Sequence, residues 1–193
     1  MVLSWVLFFE AVPRISMSVA TLVVHVQPFL IMVIGSVWLG ERVSRRQWGS
    51  ALVALLGLGL ATGVLDQVLG SQNAGSMDLR GLALALGAAL AYALAPLLLR
   101  RAHGASSLVM AWWQCVAGTV ALAWWPLMQG WPAPGPAWGW GWLVGMGVVH
   151  TGLAYVLLYT GVSRLPAGRM ALLQFVYPAS AIVFDALVYG RTL

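Results

Sequence analysis

The chain has 193 residues, of which 61% are hydrophobic and 8% charged. Globular domains carry about 25% charged residues and disordered chains are polar, so this composition excludes both a soluble globular domain and a disordered chain. The net charge of +5 comes from arginines in short segments between apolar runs. Because a nucleic-acid binder needs a basic patch facing water, no nucleic-acid partner is expected. The composition predicts an integral membrane protein.

Seven apolar runs follow one another along the chain. Most approach the roughly 20 residues that a helix needs to cross a bilayer, and they lack the alternation of barrel strands. We therefore predict an all-α integral membrane protein. Because the first run is too short to span the bilayer, the protein should have about six full spans and a partial one. The runs are Met1–Pro13, Met17–Gly40, Arg46–Leu65, Leu79–Arg100, Ser107–Met128, Trp138–Thr160 and Ala167–Tyr189.

The distribution of arginines predicts how the chain is oriented. Seven of the ten basic residues follow the second, fourth and sixth runs, and the positive-inside rule places them in the cytoplasm. Residues 66–78 are hydrophilic and should form an extracytoplasmic linker between two halves. All ten of these basic residues are arginines, which we interpret as the codon bias of a GC-rich bacterial genome. We therefore predict a multi-pass protein of a bacterial cytoplasmic (inner) membrane.

An internal repeat organises the runs. Residues 1–43 align with residues 151–193 at an offset of 150 without gaps, with ten identities. The second and seventh runs are five helices apart, so the two copies should cross the bilayer in opposite directions. Many secondary transporters are built from such inverted-topology repeats. The identities at helix landmarks are Arg14 and Arg164, Pro28 and Pro178, and Gly40 and Gly190.

The repeat also predicts that the chain is a truncated part of a ten-helix protein. The fourth and fifth runs have no mates before Met1, and the third has none after Leu193. Residues 1–65 would then be the C-terminal part of a first five-helix repeat. Residues 79–193 would be a second repeat that lacks its last helix.

Several short motifs follow one another along the chain. They include Gln27-Pro28, Leu39-Gly40-Glu41-Arg42, Gly49-Ser50-Ala51-Leu52, Leu165-Pro166-Ala167-Gly168-Arg169 and Tyr177-Pro178. In order and spacing they resemble the EamA family of the drug/metabolite transporter superfamily, from the third to the ninth of the family's ten helices. The resemblance implies an inverted-repeat helix bundle that exports or exchanges small metabolites, driven by gradients and without ATP or a cofactor.

Two prolines point to the centre of the bundle. Pro28 and Pro178 lie at the middle of the second and seventh runs. Each lacks an N–H and clashes with the carbonyl four residues back, which frees the carbonyls of Val24 and Gln174. In hydrocarbon such groups are tolerated where they face protein or a water-filled cavity. The symmetric pair favours a central binding site or hinge, and the alternative is a plain kink relieved by a neighbouring helix.

Polar and aromatic side chains at membrane depth supply the candidate substrate site. Gln174, Tyr177 and Asp185 share one helix face, and Asp185 is either a coupling residue or a wet carboxylate near the outer end. His25 and His150 lie near mid-membrane, where a histidine changes protonation near neutral pH or bonds between helices. The candidate substrate-binding residues are Trp5, His25, Gln27, Pro28, Tyr92, Trp112, Gln114, His150, Tyr155, Gln174, Tyr177 and Pro178.

The predicted function is secondary transport by alternating access. Aromatic residues with few charges suit small metabolites such as amino acids or drug-like compounds, so the partners are the lipid bilayer and a small-molecule substrate. Two alternatives stay open, a membrane-embedded enzyme acting on a lipid-linked substrate and an inactive transporter fragment. No metal is predicted, because two histidines without a third ligand do not make a metal site. The oligomeric state stays open, with a homodimer as one alternative.

Overall fold

The structure is a computed structural model whose regular elements are all helical in the described part of the chain. The side chain of Asp185 and most of the predicted linker, residues 66–77, lie outside that part. The side chains of Gln129, Ala137, Ala186 and Tyr189 also lie outside it. The described residues are 1–62, 64, 78–101, 106–130, 135 and 137–189.

The order of the helices confirms the predicted all-α class. Several of the predicted runs are divided into two or three elements, and the sixth run contains a π-helix. In chain order the elements are α1 (Val2–Ile15), α2 (Met17–Val24), α3 (Gln27–Leu39), α4 (Arg45–Ala61), α5 (Leu79–Arg101), α6 (Ser107–Leu122), α7 (Trp124–Gln129), α8 (Ala137–Gly145), the π-helix (Met146–Leu153), α9 (Ala154–Arg164), α10 (Ala167–Leu173) and α11 (Val176–Tyr189).

Five described stretches are long and apolar enough to cross a bilayer. They coincide with the second, fourth, fifth, sixth and seventh predicted runs. Helix α1 has 14 residues and is shorter than the roughly 20 that a span requires, as the sequence predicts. The third run forms α4, which has 17 residues in its described length. The five stretches are Met17–Leu39, Leu79–Arg101, Ser107–Met128, Trp138–Arg164 and Ala167–Phe184.

The contacts divide the chain into two units. Unit A contains α1 to α4, α5 as far as Leu97, and α10 and α11. Its core includes small residues of α5, namely Ala85, Ala88, Ala89 and Ala93, which are fully buried. Small side chains let helix backbones approach closely. Such close packing is important in a membrane, because lipid tails are as apolar as the side chains and the hydrophobic effect contributes little to helix association.

Unit B contains the end of α5, α6 to α9 and the π-helix. Within it α9 packs mainly against α6. Tyr159 is buried and stacks on Tyr155, with ring centroids 5.7 Å apart. Large apolar side chains such as Trp112 and Trp142 are exposed, as expected of a surface in contact with lipid.

Candidate functional site

The second and seventh predicted runs are each interrupted just before their proline. Two residues separate α2 from α3, and Pro28 lies in the first turn of α3. Two residues also separate α10 from α11, and Pro178 lies in the first turn of α11. Proline is tolerated in the first turn of a helix but removes a hydrogen bond inside a continuous one, so each interruption places its proline where it is tolerated.

The two broken helices match each other in detail. Helices α2 and α10 begin 150 residues apart, and so do the ends of α3 and α11. At one break the N–H of His25 donates to the carbonyl of Leu22 at 3.1 Å, and at the other the N–H of Phe175 donates to the carbonyl of Leu172 at 3.2 Å. Both join residues three apart, as in a 3₁₀ turn, and such bonds tighten the last turn of the helix. The offset of the sequence repeat therefore recurs in the hydrogen bonds.

The broken helices run antiparallel within unit A. A Cβ built on Gly35 would lie 2.5 Å from the Cβ of Ala167. Eight residues earlier in the chain, the Nε2 of Gln27 lies 3.3 Å from the Oε1 of Gln174. Residue numbers therefore fall along α3 as they rise along α10. Opposite directions are what an inverted-topology repeat requires of its two copies.

A cavity of about 300 Å³ lies in unit A beside the break between α2 and α3. Its volume is at the lower end of the range of roughly 300–1,000 Å³ that small-molecule sites occupy. Helices α1, α5 and α11 supply the other walls, which are mainly aromatic and apolar with a few polar groups. The lining residues are Ser4, Trp5, Phe8, Thr21, Val24, His25, Gln27, Tyr92 and Tyr177.

His25 is the most buried polar residue of the lining, with 1% of its surface exposed. Its Nδ1 lies 2.7 Å from the backbone carbonyl oxygen of Thr21. Because a carbonyl only accepts, Nδ1 carries the proton and donates, which leaves a lone pair on Nε2 of the neutral ring. This Nε2 is buried and has no hydrogen-bond partner among the described residues.

Gln27 supplies a second buried acceptor and is 3% exposed. Its Nε2 donates to the Oε1 of Gln174, while its own Oε1 has no hydrogen-bond partner in the described chain. A buried polar atom without a partner costs about 1–3 kcal/mol. A ligand that donates hydrogen bonds to His25 and Gln27 would recover that cost.

Aromatic rings surround these acceptors. The ring of His25 lies 5.4 Å from that of Tyr177 and 6.3 Å from that of Phe175, measured between centroids. On α1, Trp5 stacks on Phe9 at 5.8 Å. Trp5 and Tyr177 both line the cavity, so its wall offers aromatic surface next to the polar atoms.

The structure brings some of the predicted site residues together. The predicted residues that line the cavity are Trp5, His25, Gln27, Tyr92 and Tyr177. Gln174 is bonded to Gln27, and Pro28 and Pro178 are buried at the starts of their helices. The remaining candidates, Trp112, Gln114, His150 and Tyr155, lie in unit B.

His150 lies in the π-helix of unit B, and its side chain is exposed. The hydroxyl of Thr151 donates to the carbonyl of Met146, five residues earlier, at 3.3 Å. π-Helical segments inside α-helices occur frequently at functional sites, so His150 is kept as a candidate. A role for His150 in substrate binding stays a prediction.

Four residues that line the cavity are not among the predicted site residues: Ser4, Phe8, Thr21 and Val24. Ser4 and Phe8 are four residues apart and therefore share a face of α1. Ser4 is buried, and its hydroxyl donates to the carbonyl of Ala88 at 2.9 Å. Phe8 lies three residues after Trp5, so helical spacing from Trp5 was an available signal for Phe8, whereas Ser4 is adjacent to Trp5. Thr21 lies one turn before His25, and that spacing was the available signal.

A second close contact joins α3 and α4 to the start of α10. The Glu41 carboxylate accepts the N–H of Ala167, the first residue of α10. A carboxylate is favourable there because helix N-termini have unsatisfied N–H groups and a positive dipole end. Gly35 lies against Ala167, and a Cβ on Gly168 would come within 2.7 Å of the Gln47 side chain. Two motifs of the sequence resemblance thus form one packing interface.

Comparison with known proteins identifies the family of the chain. The sequence model of the EamA-like transporter family matches residues 1–63 and 79–193. The chain belongs to the EamA-like transporter family. The resemblance predicted from the motifs is thereby confirmed, and with the five apolar stretches it makes this EamA-family chain a multi-pass membrane protein.

A curated relative of this EamA-family chain is "Uncharacterized transporter YxxF" of Bacillus subtilis (strain 168). The two are 28% identical over 197 residues, which cover 98% of this chain and 60% of the relative. The chain thus spans about three fifths of the length of that protein. No solved structure matches the chain.

Proposed function

We propose that the protein is a secondary transporter of a bacterial cytoplasmic membrane that exports or exchanges small amphipathic metabolites, amino acids or drug-like compounds. The observation that carries the proposal is the cavity beside two antiparallel helices that are broken at equivalent positions. In secondary transporters, substrate sites lie near the bilayer midplane at the interface of inverted repeats and are formed by broken helices. Membership of the EamA-like transporter family supports the same class.

Alternating access requires the two copies to move against each other around the site. The breaks before Pro28 and Pro178 supply positions where each helix can bend without losing regular hydrogen bonds. The contact of Glu41 with Ala167 holds α3 and α10 together at the arginine-rich end. In the proposed cycle this contact closes the cytoplasmic side and separates when the cavity opens there.

The proposed substrate contacts are the predicted residues that line the cavity, and the substrate leaves chemically unchanged. Trp5, Tyr92 and Tyr177 supply aromatic surface, and His25 and Gln27 supply polar atoms. We propose no cofactor and no enzymatic step. Mass spectrometry of the transported compound would test this, because recovery of a modified product would favour the membrane-embedded enzyme instead.

Counterflow in vesicles tests the transport proposal. The purified chain is reconstituted into liposomes that contain a high concentration of an unlabelled aromatic amino acid or aromatic amine, and uptake of the labelled compound is followed. Transient accumulation above that of protein-free liposomes is expected for at least one compound. Binding without accumulation would favour the alternative of an inactive fragment, and neither binding nor accumulation across the series would contradict the proposal.

A further inference from the structure

We infer that the cavity of unit A selects a protonated primary amine carried on an aromatic or apolar body, with His25 and Gln27 as its two hydrogen-bond acceptors. This inference rests on the proposed transport function and names the substrate class of the same site. It also gives His25 a second role, because its Nε2 accepts either the substrate or a proton.

The polarity of the unpartnered atoms carries the first step. Nδ1 of His25 is already donating to Thr21, so Nε2 of the neutral ring accepts. Nε2 of Gln27 is already donating to Gln174, so its Oε1 accepts. A carboxylate or phosphate also carries only acceptor atoms, so it could not form hydrogen bonds with Nε2 of His25 and Oε1 of Gln27. None of the residues that line the cavity is an arginine, the residue that would hold such an anion.

An ammonium group fits the remaining features. It has three donors and no acceptor, and hydrogen bonds from a charged donor are about twice as strong as neutral ones. The faces of Trp5, Tyr92 and Tyr177 attract a cation electrostatically. Of the remaining lining residues, Phe8 and Val24 are apolar and suit a hydrocarbon or aromatic body, and Ser4 and Thr21 carry hydroxyls.

The end of α2 adds a further attraction for a cation. Helix α2 ends at Val24, and both Thr21 and Val24 line the cavity. Pro28 has no N–H to donate to the carbonyl of Val24, four residues back. The C-terminal end of a helix carries partial negative charge, and in transporters with broken helices such ends bind cations.

Competition between substrate and proton follows from the same geometry. When Nε2 of His25 takes up a proton, it becomes a donor and the ring becomes positive, so it repels an ammonium group. The other titratable side chains of the lining are Tyr92 on α5 and Tyr177 on α11, which are uncharged near neutral pH. Release of the amine and uptake of one proton by His25 therefore exchange one cation for another.

Matched ligands test the inference on the unmodified chain. Binding to the purified chain in lipid nanodiscs is measured by calorimetry for 2-phenylethylammonium, for its N,N,N-trimethyl analogue and for 3-phenylpropanoate. The trimethyl analogue keeps the ring and the charge but has no N–H. We expect it to bind at least about tenfold more weakly than the primary amine, and the carboxylate to bind more weakly still.

Other outcomes separate the two proposals. Equal affinity for the two cations would show that charge alone is recognised and would overturn the role of the acceptors. Tighter binding of the carboxylate, together with counterflow, would overturn the inference and leave the transport proposal standing. If none of the three binds and no compound accumulates, both proposals fail.

A variant and a pH series test His25 itself. His25→Phe keeps a ring beside Phe175 and Tyr177 but removes the lone pair, and we expect at least about tenfold weaker binding of the primary amine with little change for the trimethyl analogue. Leu56→Phe, on an exposed face of α4, is the matched control. Affinity of the unmodified chain for the primary amine should fall as pH is lowered from about 8 to about 5. A pH profile that is the same in His25→Phe would contradict the proposed competition.

Discussion

Two buried polar side chains of unit A, those of Ser4 and Gln27, form hydrogen bonds to other helices. Ser4 on α1 donates to the backbone of α5, and Gln27 on α3 donates to the side chain of Gln174, which follows α10. The two glutamines are 147 positions apart in the chain, so their hydrogen bond joins distant parts of the sequence. Because both lie in an apolar surrounding, removal of one partner leaves the other without a hydrogen bond.

A double-mutant cycle on the glutamines gives the first prediction. Gln174→Leu removes the acceptor and leaves Nε2 of Gln27 buried and unpaired, so we expect the free energy of unfolding to fall by about 1–3 kcal/mol. Replacing both residues by leucine removes the unpaired group, so the double variant should be more stable than the sum of the single losses predicts. Unfolding in lipid-detergent micelles followed by circular dichroism measures this. Strict additivity would show that the glutamines are not coupled.

The residue scale also shows what the sequence reveals about the site. His25, Gln27 and Tyr177 were found because polar or amphipathic side chains at membrane depth are costly and therefore informative. Ser4 and Thr21 were not, since hydroxyls in apolar helices usually bond to nearby carbonyls and stand out little. The unpartnered state of His25 and Gln27 depends on neighbours from distant helices, so no local pattern indicates it.

At the scale of helices, the packing of α3 against α10 depends on a missing side chain. Gly35 is buried, and its Cα lies so close to α10 that an added Cβ would meet the Cβ of Ala167 at 2.5 Å. Neither atom belongs to a flexible side chain, so the two helices would have to separate. Small residues at such crossings allow the backbone approach that stabilises helix pairs in membranes.

Substitution at this crossing gives the second prediction. Gly35→Ala should lower the free energy of unfolding by about 1–3 kcal/mol through overpacking. The reciprocal variant Gly35→Ala with Ala167→Gly restores the space and should recover part of the loss. Thermal unfolding measures both. Gly57→Ala in α4 is the control, since apart from its chain neighbours and the backbone of its own helix no described atom lies within 4 Å of its added Cβ. Equal melting temperatures for the single and reciprocal variants would contradict the contact.

Glu41 gives the third prediction, at the N-terminus of α10. Glu41→Ala removes the carboxylate that accepts the N–H of Ala167, a loss worth about 0.5–2 kcal/mol for a helix cap. The amide of Ala167 should then exchange with deuterium faster, because the end of the helix opens more often. Hydrogen exchange with mass spectrometry measures this, and amides in the middle of α5 serve as an internal control. Unchanged exchange at residue 167 would mean that the cap contributes nothing.

The helix boundaries show which features the sequence specifies. The two prolines and the repeat predict a kink or hinge at the middle of the second and seventh runs, where the structure has a break, because proline acts through local sterics. The first run was expected to end at Pro13, yet α1 continues through Pro13 and ends at Ile15. The next residue, Ser16, caps the helix with a φ of 71°. Pro96 also lies inside α5. Membrane helices tolerate prolines where neighbours satisfy the freed groups, so proline alone does not fix a helix end.

At the scale of the whole molecule, charged side chains distinguish the two ends of unit A. At one end Arg14 lies 3.0 Å from a carboxylate oxygen of Glu10 and 4.0 Å from one of Asp78, so its charge is largely balanced. The opposite end carries Arg42, Arg45, Arg46 and Arg169 with Glu41 as its acidic residue among the described side chains. The positive-inside rule therefore predicts that this end faces the cytoplasm.

Accessibility labelling tests this orientation, which decides whether the Glu41 contact closes the cytoplasmic side. Cys115 is replaced by alanine to give a background without thiols, and one cysteine is introduced by Ser44→Cys, before α4, or by Asp78→Cys, before α5. In right-side-out membrane vesicles an impermeant maleimide should label position 78 at once and position 44 only after permeabilisation. The reverse pattern would place the arginine-rich end outside, because the two positions belong to opposite ends of unit A. In that case the contact between α3 and α10 would close the extracytoplasmic side. Separation of this contact would then open the cavity to the outside of the cell and not to the cytoplasm.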